Sequence, residues 1–128
     1  MAIKNNSQEY PRFNVVEVLR IGGEDMYEVA PLEKQFGRTF EYWLKQPYGC
    51  EYVKVVTRWR AQEALKGKKY NPRTFADERV RALHKMIVGA SGRLFVTREI
   101  FIEFARWLSP AFNLSCNLNC SQRLLRDF

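Results

Sequence analysis

Apolar positions along the chain fall into short blocks whose period changes. Asn14-Val15-Val16-Glu17-Val18-Leu19-Arg20-Ile21 is dense in β-branched residues and predicts a strand. Gly22-Gly23-Glu24-Asp25 supplies turn chemistry, and Met26-Tyr27-Glu28-Val29-Ala30 reads as the return strand of a hairpin. From Pro31 the period lengthens. Pro31–Phe36 predicts a short helix, Gly37 punctuates it, and Thr39 can cap a second helix over Phe40–Lys45. In that second helix Phe40, Trp43 and Leu44 fall at i, i+3, i+4. Pro47 and Gly49 are expected to end it. Two short helices around a glycine have the outline of a helix-turn-helix.

Residues 51–66 predict a longer helix closed by Gly67, with Tyr52, Val55, Val56 and Trp59 on one face. The run Val53–Thr57 also accommodates a strand. Gly67-Lys68-Lys69-Tyr70-Asn71-Pro72-Arg73 reads as a basic loop. Thr74 with Asp77 three residues on resembles a capping box, and the helix it opens runs to about Ile87. Its apolar face would be Ala76, Val80, Leu83 and Ile87. Gly89 and Gly92 bracket a turn before a short strand, Leu94-Phe95-Val96. Thr97 then caps the clearest helix, in which Ile100, Phe101, Phe104, Trp107 and Leu108 form a core-facing stripe. Ser109-Pro110 stops it, and a last helix includes Gln122–Leu125. The fold class read from this order is α+β: a short β-hairpin plus several packed helices.

Composition agrees with a single core. The chain has 128 residues, 46% of them hydrophobic and 14% aromatic, enough to fill one domain. No apolar run approaches the ~18 residues of a membrane span, so no membrane role is expected. Met1-Ala2-Ile3-Lys4-Asn5-Asn6 lacks the apolar stretch of a secretory signal, which predicts a cytoplasmic location. Cys50, Cys116 and Cys120 are an odd count and read as free thiols. With His84 as the lone histidine, they do not make a metal site.

Charge changes the picture more. The net charge is +7 at a sequence pI of about 9.5. Between Lys45 and Lys85 eleven basic residues face four acidic ones, so this segment alone carries the excess of the whole chain. A regional positive field points to an anionic partner.

One stretch is specific. Gly92-Arg93-Leu94-Phe95-Val96-Thr97 leads into Ile102-Glu103-Phe104-Ala105-Arg106-Trp107-Leu108-Ser109-Pro110, with Phe112 beyond. This resembles the signature of the KilA-N domain family of phages, bacteria and large DNA viruses, whose helix reads close to "IEFARWLSPEF". Ala111 stands where the family often has an acidic residue. Upstream, Phe36–Leu44 is similar to the family's "K-x-F-x-x-W-L" helix. The resemblance runs from about Val15 to Phe112 and is patchy between Gly49 and Gly92. It implies a winged-helix-like, APSES-type domain over 14–112, with a polar arm over 1–13. Residues 113–128 form an extension, expected to be helical and packed on the domain. It also implies a phage- or prophage-encoded regulatory protein that binds double-stranded DNA, sequence-specifically or with tolerance of structure. Phe104, Trp107 and Leu108 are expected to be core. Glu103 and Arg106 are expected to form a weak surface pair.

The basic segment is the better candidate for contact. Lys54, Arg58, Arg60, Lys66, Lys68, Lys69 and Arg73 are expected to face DNA phosphates, with Arg38 and Lys45 acting at the turn and end of the second helix. The loop bearing Lys68-Lys69 is suited to following a backbone as a wing does. No glycine-rich phosphate loop, paired-carboxylate signature or nucleophile elbow is present, so no enzymatic activity and no cofactor are expected. The rival reading is a protein-interaction module, an inhibitor or antirepressor that binds a host protein through the same basic surface. A structural phage protein is a third. Homodimerisation stays open.

Overall fold

The computed structural model describes residue 13 and residues 16–126. Two strands, β1 (Val18–Ile21) and β2 (Glu24–Glu28), open it as a hairpin with Val18 opposite Tyr27. The turn is Gly22-Gly23 alone. Both glycines have positive φ, +61° and +81°, the combination that matches strand twist in a two-residue hairpin loop. Glu24 and Asp25, expected in the turn, therefore begin β2. Asn14 and Val15 lie outside the described residues, as do residues 1–12 of the expected polar arm. Phe13 is described, and its ring meets those of Phe36 and Phe112 edge-on.

Helices α1 (Ala30–Phe36) and α2 (Phe40–Lys45) follow. Gly37, at φ +68°, donates its N–H to the Glu33 carbonyl and ends α1. Thr39 caps α2 by accepting from the Tyr42 N–H at 3.1 Å. Pro47 and Gly49 do not merely end α2. Pro47 sits in the first turn of α3 (Pro47–Ala64), and Gly49 is buried inside that helix. A Cβ on Gly49 would lie 2.1 Å from the Trp43 carbonyl oxygen, so only glycine lets the α2–α3 corner close.

The segment Val53–Thr57 is helical. The buried positions of α3 are Gly49, Val53, Val56, Thr57 and Ala61, a stripe rotated from the one expected. Val55 and Trp59 are exposed. A loop leads to α4 (Pro72–Met86), which is capped by Asn71 rather than by the Thr74 box. The Asn71 side chain accepts from the Arg73 and Thr74 N–H groups at 3.0 and 3.1 Å. In α4 only Ala82 and Met86 are fully buried. The expected core face is instead largely in solvent, with Val80 55% and Leu83 39% exposed.

α4 runs straight into β3 (Ile87–Ala90), a strand the sequence did not betray, and on to β4 (Arg93–Thr97). Ser91 and Gly92 turn between them at positive φ. The four strands form one antiparallel sheet in the order β1-β2-β4-β3. The fold is thus α+β: this sheet with six helices.

The last two helices are α5 (Arg98–Leu108) and α6 (Pro110–Arg126). α5 packs on β2, β4 and α1 and sinks Ile100, Phe104, Ala105 and Leu108 into the core. Phe104 meets Phe40 edge-on at 5.2 Å and Trp43 at 6.1 Å. Each such side chain contributes about 1.5–3 kcal/mol of burial. Trp107 is half-buried and packs against this core, stacked on Phe104 at 6.2 Å. Thr97 precedes α5 in extended conformation but makes no side-chain cap bond, and its hydroxyl is buried without a partner.

α6 begins far earlier than the helix expected at Gln122. It is tied to α5 by Arg106, which donates to the Asn113 side chain at 2.8 Å and to that of Asn117 at 2.5 Å. The extension is helical, yet Leu114 and Leu118 point to solvent, so Leu118 does not cover the core. The side chains of Leu124, Leu125 and Phe128 lie outside the described set. No described helix is long and apolar enough to cross a membrane.

Candidate nucleic-acid interface

α3, the 65–71 loop and α4 form a continuous basic unit, with the two helices packed on each other. The loop is built rather than slack. Leu65 N–H donates to Ala61 at 3.1 Å, Lys66 N–H to Glu63 at 3.3 Å and Lys68 N–H to Leu65 at 3.0 Å. Gly67 turns the chain at φ +83°, and Asn71 anchors the far end as the α4 cap. Lys66, Lys68 and Lys69 are held outward on this frame, all exposed. The loop joins two helices, so it is not the tip of a strand hairpin that a wing would be.

Five of the expected contact residues share one property. Arg58, Lys66, Lys68, Lys69 and Arg73 are exposed and have no carboxylate within 4.0 Å among the described residues. No described carboxylate neutralises their charge. Lys54 and Lys45 have only loose helical partners, Glu51 at 3.7 Å and Glu41 at 3.8 Å. Exposed pairs of this kind are worth ~0.3–0.5 kcal/mol and yield readily to a phosphate.

Two expected residues go elsewhere. Arg60 is a correction: its side chain is only 20% exposed and is gripped by Glu24 of β2 and Glu99 of α5. Nε donates to Glu99 at 2.8 Å and Nη1 to Glu24 at 3.1 Å. The hydrogen bond that Arg60 donates to Glu24 raises the Arg60 pKa against the opposing effect of burial. It is a structural clamp between three elements. Arg38 lies over Trp107, with the guanidinium carbon 3.6 Å from the ring centroid, and so joins α5 rather than the α3–α4 unit.

The unit also holds cations that sequence reasoning left out. Lys85 is exposed with no carboxylate partner among the described residues, Arg79 lies 6.0 Å from the Phe75 centroid, and Arg81 pairs with Glu78 at 2.5 Å. Their signal was present in the density of basic residues along α4. Helical spacing marks Ala76, Val80 and Leu83 as a core face, which hides the basic surface of α4 in the sequence. Those three residues instead line a groove of about 350 Å3 with Val53, Lys54, Thr57 and Arg79.

At the β3–β4 turn, Arg93 is committed to Glu28 at 2.9 Å and to Glu17. The hairpin tip carries no other charged side chain.

Two further polar contacts tie α3 to α5. The Tyr48 hydroxyl donates to Glu103 at 3.0 Å, and that of Tyr52 donates to the Glu99 carbonyl at 3.3 Å. Burial, followed by the Glu103 charge, pushes the Tyr52 pKa up to about 12. Burial and the bond to Glu103 raise that of Tyr48. Both phenols are thereby held protonated as donors. Glu103 also faces Arg106 at 3.7 Å. His84 is exposed on α4. Cys50 and Cys116 are half-buried free thiols and Cys120 an exposed one. Among the described residues no group of His, Cys, Asp or Glu is placed to hold a metal ion. Comparison of the chain with protein families, with curated proteins and with solved structures finds no match.

Proposed function

We propose that this chain is a non-catalytic, KilA-N-like domain that binds double-stranded DNA through α3, the 65–71 loop and α4. The observation that carries the reading is the cluster of exposed cations, without a carboxylate partner among the described residues, on one helix–loop–helix in a chain of net charge +7. Cations without a described carboxylate partner are available to phosphates, and each phosphate neutralised releases counterions.

The order of elements supports a winged-helix-like reading. A helix–loop–helix leads directly into the β3–β4 hairpin, and β4 returns to pair with the strand that precedes the helices. In that reading α4 is the helix offered to the major groove. Arg73, Asp77, Val80 and His84 share its outward face, beside a cap that orients its first turn. The KilA-N-like stretch Ile102–Pro110 fits the same account. Its Phe104, Ala105, Leu108 and Ser109 are buried, so the motif serves the core and leaves contact to the basic unit.

The test is fluorescence anisotropy of a labelled random-sequence duplex. The native chain binds at low salt, and the triple variant R58E/K68E/K69E loses binding by at least ~100-fold. Equal binding by the two proteins contradicts the proposal.

One observation favours a second reading. The α3–α4 groove exposes Val80 and Leu83 beside Lys54 and Arg79, an apolar strip with a basic rim. A protein partner with an acidic, apolar segment would fit it. Such a complex would persist at salt concentrations that dissociate DNA.

A further inference from the structure

The loop between α3 and α4 holds a feature that duplex binding does not use. Tyr70 is 71% exposed, the most exposed large apolar side chain described. Its ring centroid lies 6.1 Å from that of Phe75, the planes inclined at 53°. Gln62, Leu65, Lys68, Lys69, Tyr70 and Phe75 surround a recess of about 250 Å3.

The chemistry of the lining is mixed in a particular way. Two aromatic rings and a leucine supply flat, apolar contact. Lys68 and Lys69 bring ammonium groups with no carboxylate partner among the described residues. Gln62 adds an amide able to donate and accept. Asn71, next in sequence, does not fill the recess, because its side chain is committed to the α4 cap. The backbone bonds at Leu65, Lys66 and Lys68 keep the walls in place before any ligand arrives.

We infer that this recess takes one unpaired nucleotide at the edge of a duplex, as in a single-stranded tail or gap. The base stacks on Tyr70 and its phosphate meets Lys68 or Lys69. The Gln62 amide faces the base edge. A base inside a duplex has both faces covered by its neighbours and cannot offer one to Tyr70, so the site selects unstacked bases. An uncharged apolar ligand would suit the rings but leave both ammonium groups unanswered, and the charge therefore selects an anion. The inference rests on the duplex-binding reading, since the same lysines and helices bring the DNA to the loop.

The experiment compares a blunt duplex with the same duplex carrying a three-nucleotide tail that contains 2-aminopurine, in the full chain at matched salt. The tailed duplex binds tighter by about 5-fold to 100-fold, and the 2-aminopurine fluorescence is quenched on binding. Y70A abolishes the quenching and binds tailed and blunt duplexes equally, and Y70F retains both the gain and the quenching because the ring remains. Tyr70 is solvent-exposed, so neither variant disturbs the core. Equal affinity of the native chain for tailed and blunt duplexes overturns the inference and leaves duplex binding intact. A tail preference that survives in Y70A also overturns it. No binding of either DNA overturns the inference together with the reading beneath it.

Discussion

Replacing Arg60 with alanine removes a cation that bridges β2, α3 and α5. Its partners stay behind: Glu24 and Glu99, with side-chain exposures of 38% and 26%, would face each other across the vacated space. Breaking a fully buried pair by removing one partner costs about 3–5 kcal/mol, whereas an exposed pair is worth less than about 1 kcal/mol. Arg60 is reached by some water, so the cost falls between, about 2 kcal/mol. For a domain of this size that lowers the midpoint of thermal unfolding by roughly 6–10 °C. Circular dichroism of the helices reads it directly. R60K keeps the charge but not the planar fork, and should recover only part of the loss.

The pH behaviour has a definite sign. The folded Arg60 pKa is raised, chiefly by its bond to Glu24. Its contribution is complete below the unfolded guanidinium's range and is lost only as pH rises through the still higher folded value. The deficit of R60A is therefore flat across the neutral range. Folded R60A should also keep the native salt dependence of DNA binding, because the residue contacts no phosphate. A midpoint within about 2 °C of the native value, together with a salt slope shallower by about 0.9, would refute the clamp and return Arg60 to the binding surface.

Other expected outcomes follow from single contacts. N71A strips the cap from α4 and should cost about 1 kcal/mol in urea unfolding, with the slope unchanged. G49A drives a methyl group into the Trp43 carbonyl and should cost roughly 4 kcal/mol or more, read as loss of soluble folded chain or a collapsed midpoint. Tyr52, whose pKa is pushed up to about 12 from 10.0, favours the protonated folded state. Stability it confers is complete below its unfolded value and declines as pH rises through its folded one. Urea midpoints measured across that alkaline window should fall less steeply in Y52F than in the native chain.

Much of the fold was legible where local chemistry leaves one solution. Thr39 capping α2, Gly37 ending α1 and Pro110 stopping α5 all act within a turn of their own position. The glycine pair Gly22-Gly23 marked the hairpin for the same reason. What failed was orientation. Ala76, Val80 and Leu83 recur at helical spacing, yet the opposite side of α4, through Ala82 and Met86, is what packs. Period reveals that a stripe exists but not what covers it. β3 was hidden because Ile87-Val88-Gly89-Ala90 is four residues long and adjoins a helix whose apolar pattern runs into it. Its strand character comes from pairing with β4, a tertiary matter.

The candidate site divides along the same line. Basic density picked out the α3–α4 segment, since charge is read directly from sequence. Which cations the fold consumes was invisible. Arg60 and Lys66 differ little in local sequence, but the carboxylates that claim Arg60 lie 36 and 39 residues away. Arg38 likewise meets Trp107 across the fold.

Cations of the α3–loop–α4 unit that have no described carboxylate partner should neutralise DNA phosphates. The most direct measurement is the slope of log K against log salt for a random-sequence duplex, taken by anisotropy. Five phosphates met by Arg58, Lys66, Lys68, Lys69 and Arg73 predict a slope of about −4.5. Absence of binding at low salt, or a slope shallower than about −1, would contradict the account.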